Sequence, residues 1–285
     1  MKLVSHYREN EVLRNSFIQL AADIFGIDFT SWHEKGYWGN RYIPFSYADG
    51  DRIAANVSVN DLDFIIEGKS YKALQIGTVM THPEYRNKGL SASLMNHVLD
   101  AYEGIYDFIY LFANDSVLDF YPRFGFEEVE EYLYSTKVSA GQSPFVLRKL
   151  ELARDLEFIE KAVYGRLPVS QAFSTANSAG ITMFHVLNVF PDHLYYHAEK
   201  DSIVIFTKEN GTIQLYDLIS TAPVDIKDII PIFGDTDAVQ FHFTPDDSDL
   251  QYQRVPFKRD GALFVKKRPG MELPKFIKHP FTSEA

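Results

Sequence analysis

Apolar positions early in the chain recur every three or four residues. Val12, Leu13, Phe17, Leu20, Ala21 and Ile24 share one face, which predicts an amphipathic helix over residues 10–25. Residues 29–42 lose that period and collect Trp, Tyr and Gly, the pattern of an aromatic-lined irregular loop with at most a short helix. The rhythm then changes to strands. Segments 43–47 and 52–59 flank Asp49-Gly50, a hairpin turn signal, and segments 62–67 and 71–80 flank Gly68-Lys69, so an antiparallel meander is expected. Leu90, Leu94, Met95, Val98 and Leu99 restore helical spacing over 90–102, and the apolar run 106–112 reads as a buried strand. A short helix over 117–123 and a strand pair or one long strand over 126–138 complete the unit. The expected fold class is α/β with mixed layers: a mostly antiparallel central sheet flanked by helices, not a doubly wound parallel sheet.

Small, polar, Gly and Pro residues cluster at Ser139-Ala-Gly-Gln-Ser-Pro144, so residues 139–149 are expected to link a domain at 1–138 to a second, smaller α/β domain at 150–285. In that second half a helix is expected over 150–164, strands over 202–207, 212–218, 238–243 and 261–267, and a short helix over 225–230. The order resembles a shortened copy of the first half. The tail carries Lys258, Arg259, Lys266, Lys267, Arg268, Lys275 and Lys278, which read as a solvated surface.

Composition narrows the function classes. The 285 residues have 28 Lys plus Arg against 39 Asp plus Glu, a net charge of −11, which argues against sequence-independent binding to nucleic acid or anionic lipid. The first ten residues lack an apolar signal core, and no apolar run approaches the roughly 20 residues a membrane span needs. A soluble cytoplasmic protein with no nucleic-acid or membrane partner is the expectation. The absence of cysteine removes disulfides, thiolate zinc sites and any acyl-cysteine intermediate. His193 and His197 are four apart but lack a third convincing ligand, so no metal is expected.

The stretch from Leu74 to Met95 carries the chemistry. An apolar strand runs into Pro83, then a polar, glycine-containing turn, then a helix. The first N–H groups of a helix lack intrahelical partners and sit at the positive end of its dipole. Arg86 and Lys88 add cationic charge there, and the small residues Gly89 and Ser91 let a ligand approach the backbone, so a pyrophosphate suits the place. An ordinary strand–turn–helix connection with a solvated basic pair remains the competing reading of the turn alone. Neither the P-loop pattern nor Gly-x-Gly-x-x-Gly is present.

Val79-Met-Thr-His-Pro-Glu-Tyr-Arg-Asn-Lys-Gly-Leu-Ser91 resembles the acyl-CoA signature of the GNAT superfamily of N-acetyltransferases. Its Gln/Arg-x-x-Gly-x-Gly/Ala core is matched by Arg86, Gly89 and Ser91, with serine in place of the last small residue. Downstream, Leu111-Phe-Ala-Asn-Asp-Ser116 and Phe120-Tyr-Pro-Arg-Phe-Gly-Phe126 resemble the family's "Asn … Tyr-x-x-x-Gly-Phe" element. The resemblance covers residues 1–138. It implies a V-shaped opening between two strands that holds acetyl-CoA as co-substrate. The backbone of Val79 and Thr81 would pair with the pantetheine arm. The N–H groups of Arg86, Asn87, Lys88, Gly89, Leu90 and Ser91 would hold the pyrophosphate, and Asn114 would contact the thiol end.

By the same resemblance, Tyr121 holds the general-acid position, a phenol of pKa about 10 suited to protonating a leaving thiolate; packing in an aromatic helix is its structural alternative. Several family members carry a glutamate on the motif strand where this chain has Gln75, so no base is assigned. His82, Asp49 and Asp51 read as turn residues, and Glu84 as solvated. Trp32, His33, Tyr37, Trp38 and Tyr42 fall where the family's acceptor loop lies, with core packing and substrate contact both open; with the acidic charge they suggest a cationic amine. The implied activity is acetyl transfer from acetyl-CoA to a primary amine, on a small molecule or a peptide, by direct attack. The alternative is a non-catalytic acyl-CoA-binding or sensing protein, favoured by Gln75 and opposed by Tyr121. The second half reads as a degenerate GNAT-like domain, because the strand-like Gln214-Leu-Tyr-Asp-Leu-Ile-Ser220 is followed by Thr-Ala-Pro-Val-Asp and no CoA pattern. It would support the fold, help form the acceptor cleft or make a homodimer contact.

Overall fold

The computed structural model describes residues 1–138, 146–246 and 250–285; the expected linker at Ser139–Pro144 lies outside the described residues. The chain opens with β1 (Lys2–Ser5) and α1 (Glu11–Phe25). The Asn10 side chain accepts from the Leu13 N–H at 3.2 Å, and Gly26 turns left-handed to stop the helix, as capping chemistry requires. Then come α2 (Thr30–Glu34), β2 (Tyr42–Asp49), β3 (Arg52–Ile66), β4 (Lys69–Thr81), α3 (Leu90–Ala101), β5 (Phe108–Ala113), β6 (Glu127–Val129) and β7 (Tyr132–Lys137). Beyond the undescribed segment follow β8 (Arg148–Lys149), α4 (Leu152–Gly165), β9 (Phe173–Ala176), α5 (Ala179–Asn188) and β10 (Leu194–His197). The chain continues with β11 (Ser202–Glu209), β12 (Thr212–Ser220), α6 (Ile226–Ile229), β13 (Ala238–Phe241), β14 (Gln253–Pro256) and β15 (Ala262–Lys267). No helix among the described residues is long and apolar enough to cross a membrane.

Two mixed sheets result. The first has the order β1-β2-β3-β4-β5-β15-β6 with β9 on β3; the second runs β14-β7-β13-β12-β11-β10-β8. The pairs β4–β5 and β12–β13 are parallel, within otherwise antiparallel sheets. The expected α/β class with flanking helices stands. Helix α3 lays Leu94, Met95 and Val98 on Val57, Val59, Leu74 and Ile76 of the first sheet. Helices α4 and α5 share a core with α1 and the aromatic loop through Ile159, Val163, Met183 and Val186.

Four expectations change. Segments 52–59 and 62–67 form one strand, because Asn60 and Asp61 keep the ladder, opposite Gln75 and Leu74, while the Asp61 carboxylate is occupied by Arg41 and Tyr106. The helix expected over 117–123 is two 3₁₀ turns, Asp115–Val117 and Tyr121–Phe124; Pro122 lacks the N–H a longer helix needs. Finally, the boundary at 139–149 does not separate the sheets. Strands β9 and β15 from the second half enter the first sheet, and β7 from the first half enters the second. Strand β15 is buried on both faces through Leu263, Phe264 and Val265, so a central place between β5 and β6 suits it.

Nor is the basic tail a solvated surface throughout. Lys278 is 0% exposed; its Nζ donates to Glu131 Oε1 at 3.0 Å and to the His279 carbonyl at 3.1 Å. Arg259 donates to Glu131 Oε2 at 2.7 Å and to the Glu284 carboxylate. Burial pushes the Glu131 carboxyl up, but the Lys278 and Arg259 charges outweigh it and hold the group below its ordinary range. Breaking a buried ion cluster leaves an uncompensated charge. We expect Lys278→Met to lower unfolding free energy by about 3 kcal/mol, read by denaturant titration at neutral pH; a loss below about 1 kcal/mol, the level of a surface pair, contradicts this account.

Candidate functional site

Pairing between β4 and β5 ends at Ile76↔Leu111, yet β4 continues to Thr81 and β5 to Ala113. The strands part because β4 is bulged. Asn56 faces Met80 and Ser58 faces Gly77, so Val57 alone stands opposite both Thr78 and Val79. A bulge of this kind bends its strand out of the ladder. Thr78 is left-handed, with φ of 49°. The Asn56 amide holds its carbonyl at 2.7 Å, and the Tyr42 and Thr78 hydroxyls are 3.1 Å apart.

A cavity of about 860 Å³ occupies the opening. One half is lined by Gly77 to Thr81, Arg86, Ser91, Asn114 and Tyr121; the other by Phe25, Phe29, Trp32, Ile181, Phe184 and His185. Of the residues expected from sequence, Val79, Thr81, Arg86, Ser91, Asn114 and Tyr121 thus meet in one place. Asn87, Lys88, Gly89 and Leu90 lie beside it in the turn and helix start, outside the lining. Lys88 is turned away, its Nζ 3.1 Å from the Glu84 carbonyl and 4.8 Å from the centre of the Tyr85 ring. Asn87 and Gly89 are both left-handed, at φ of 60° and 72°. The backbone N–H groups of Asn87, Lys88 and Gly89 have no acceptor among the described residues. A 2.7 Å hydroxyl contact between Thr81 and Ser91 fixes the strand end against the helix start. Free N–H groups, the positive end of a twelve-residue helix and Arg86 together suit an anionic group.

Tyr121 is 5% exposed and packs on Phe120, Phe126 and Phe264. Burial pushes its phenol up to about 12, so it stays protonated at neutral pH. Its hydroxyl has no partner among the described residues, which leaves the proton available to a ligand. Asn114 is placed by a distant part of the chain. Gly261 N–H donates to Asp115 Oδ1 at 2.8 Å, and a Cβ at Gly261 would lie 1.8 Å from the Ala113 carbonyl oxygen, so only glycine lets β15 start there.

Gln75, where some relatives carry glutamate, is fully buried and donates to the Ser283 carbonyl at 3.2 Å. Residues 277–285 form a strap that enters the cleft: a Cβ on Gly77 would lie 3.3 Å from the Ala285 backbone oxygen. His185 Nε2 lies 2.8 Å from the Glu284 carbonyl. A carbonyl only accepts, so Nε2 carries the proton and Nδ1, without a partner among the described residues, carries the lone pair. Burial lowers the His185 pKa, more than the Glu284 carbonyl raises it, and keeps the ring neutral. Glu284 also lines the cavity, but Arg259 and Lys278 neutralise its carboxylate. The chain's acidic excess therefore does not appear as free charge on this wall. Of the aromatic loop, Trp32 and Tyr42 line the cavity, whereas His33, Tyr37 and Trp38 do not. Ile181, Phe184, His185, Glu284 and Ala285 were not legible as site residues, because no local motif marks a residue that arrives by long-range packing.

Residues 11–129 match the model of the acetyltransferase (GNAT) domain. Over 67 residues the chain is 40% identical to N-alpha-acetyltransferase 50 of Danio rerio, a match to 22% of this chain and 40% of that protein. Among solved structures, a conserved protein from Enterococcus faecalis V583 described as a probable N-acyltransferase aligns with a TM-score of 0.60 at 14% identity, over 94% of this chain and 72% of that one. Eis1 from Mycobacterium abscessus aligns with a TM-score of 0.57 at 14% identity, over 92% and 73% respectively. At such identities the likeness is one of fold, and it extends over both sheets. The chain carries a GNAT acetyltransferase domain at residues 11–129, within a GNAT fold.

The close approach of Gly77 to the strap can be tested directly. Gly77→Val adds branched bulk against the Ala285 backbone, and overpacking of this kind costs about 1–3 kcal/mol. The expected outcome is a lower Tm together with faster proteolysis of residues 277–285; an unchanged Tm contradicts the contact.

Proposed function

We propose that this protein is an N-acetyltransferase that moves an acetyl group from acetyl-CoA directly to a primary amine within a ternary complex. One observation carries the reading: the unpartnered Tyr121 hydroxyl lies in the same cavity as the parted edge of β4 and the helix start that bears Arg86 and Ser91. The parted strands suit a pantetheine arm laid along Val79 and Thr81 as an added strand. Arg86 and the N–H groups of Asn87, Lys88 and Gly89 suit the pyrophosphate, with Leu90 and Ser91 continuing the helix start. Asn114 lies toward the thiol end. The Lys88 side chain contributes little beyond its backbone, since Tyr85 and Glu84 occupy it.

The chemistry supplied by acetyl-CoA is a thioester carbonyl open to attack. A neutral amine forms the new C–N bond as the C–S bond breaks, and the departing thiolate takes the Tyr121 proton. The amine loses one proton in return. Glu284 is a poor acceptor for it, being held by Arg259, and the His185 lone pair is buried on Nδ1, so the proton is assigned to solvent water and not to a side chain. The chain has no cysteine for an acyl-cysteine route, which favours direct transfer. The acceptor class is a primary amine on a small molecule or a peptide. Gln75 loses its weight as a sign of a silent, CoA-sensing protein, because it anchors the strap.

General-acid catalysis contributes about 10²–10⁴-fold in rate. We expect Tyr121→Phe to lower kcat by that order while stabilisation by acetyl-CoA in a thermal-shift assay is kept. Because the phenol titrates near 12, the parent enzyme's pH–rate profile has no falling limb from Tyr121 below pH 10. Unchanged kcat in the variant removes Tyr121 from the mechanism. Stabilisation by acetyl-CoA without thiol release on any amine favours the sensing reading instead.

A further inference from the structure

The parted strands, the helix start and Tyr121 account for one half of the cavity of about 860 Å³. The other half is built by three separate elements. Phe25 and Ile27 come from the end of α1 and the turn after it, Phe29 and Trp32 from the start of α2, and Ile181 and Phe184 from α5 of the second half. The Phe184 ring lies 5.4 Å from Phe29 and 6.3 Å from Trp32, centre to centre. Phe29, Trp32 and Ile181 are buried, Ile27 and Phe184 are half-buried, and Phe25 is 37% exposed, so this apolar wall runs from the interior to the surface. An acetyl group is too small to fill it.

Arg86 and Glu284 are the charged side chains that line the cavity, and neither serves this half. Arg86 belongs to the turn, and Glu284 is spent on Arg259 and Lys278. Asp23 and Asp28, the carboxylates nearest in sequence, accept from Gln19 and from the Thr30 N–H and stand outside the lining. The polar groups on this side are engaged as well. Trp32 Nε1 donates to the Gly180 carbonyl at 2.7 Å, the Tyr42 hydroxyl meets Thr78, and His185 Nε2 donates to the Glu284 carbonyl, while Asn60 is 4% exposed. A second ammonium group placed here loses its water and gains no partner, which is costly. Hydrocarbon and ring surface is favoured instead.

We propose that this half seats the body of the acceptor, a primary amine carried on an uncharged apolar or aromatic group, and that Phe184 determines specificity there. The exposed Phe25 favours an acceptor entering from solvent over a long acyl chain, which arrives with the CoA from the Arg86 side and needs no second mouth. The net charge of the chain had suggested a cationic acceptor, but that charge is absent from the wall the acceptor meets. This deepens the transferase reading and rests on it.

The test uses 2-phenylethylamine, ethylamine, which lacks the apolar body, and spermidine, whose body is cationic. Isothermal titration into the protein saturated with CoA reads binding without turnover. Burial of the phenyl group should make Kd for 2-phenylethylamine about tenfold or more below that for ethylamine, with spermidine no tighter than ethylamine. Phe184→Ala should narrow the ratio of the two Kd values about fivefold, and Phe184→Leu, which keeps an apolar side chain, should retain most of it. The parent's own ranking of the three amines decides the matter even where Phe184→Ala does not fold. Equal binding of 2-phenylethylamine and ethylamine, tighter binding of spermidine, or a ratio untouched in folded Phe184→Ala overturns the assignment. So does faster thiol release from octanoyl-CoA than from acetyl-CoA, which gives this half to an acyl chain. Binding in the expected order without thiol release from acetyl-CoA overturns the transferase reading instead.

Discussion

Residues 277–285 thread through both places where the sheets come apart. Strand β12 runs on to Ser220 after its last pairing with β13 at Leu215↔Phe241, where β13 itself ends and leaves that side of β12 open. The Phe281 ring fills that second opening, against Tyr216, Phe190 and His242, and its N–H meets the His242 carbonyl at 3.0 Å. Two residues later the Ser283 carbonyl accepts from Gln75, and Ala285 closes on Gly77 in the first opening. A parted strand pair exposes backbone and apolar surface that something must cover. Here one segment covers part of both, and the first opening keeps the space left over.

That division has an electrostatic anchor. Glu131 stands between β6 and β7, where the chain crosses from one sheet to the other, and it receives Lys278 and Arg259 from the far end of the sequence. Its His279 N–H contact ties the strap backbone to the same carboxylate. A buried ion cluster of this kind is costly to break, because removing one partner leaves an uncompensated charge. In this fold the cluster fixes where the strap enters, and so where Glu284 and His185 stand relative to Tyr121.

Much of the first sheet was legible. Periodicity located α1, α3 and the meander, since each buries one face and writes that face into the spacing of its apolar residues. The phosphate-type turn was legible because Arg86, Gly89 and Ser91 act locally, within one turn of the helix they begin. Other features were misread for identifiable reasons. Asn60-Asp61 carried turn-forming residue types, yet the tertiary partners of Asp61 kept the strand straight. Lys278 looked solvated because charge alone does not reveal a buried carboxylate 147 positions away.

The sequence by itself determined α1, α3 and α4, the turn that frees three N–H groups and the phenol that follows β5. These depend on contacts between near neighbours, so spacing records them. Only the tertiary structure decided that β15 borders Asn114, that Gln75 holds a strap instead of acting as a base, and that His185 and Asn60 face the site. Those placements depend on burial against elements far away in sequence, and the free energy that selects them belongs to the packed whole and not to any segment.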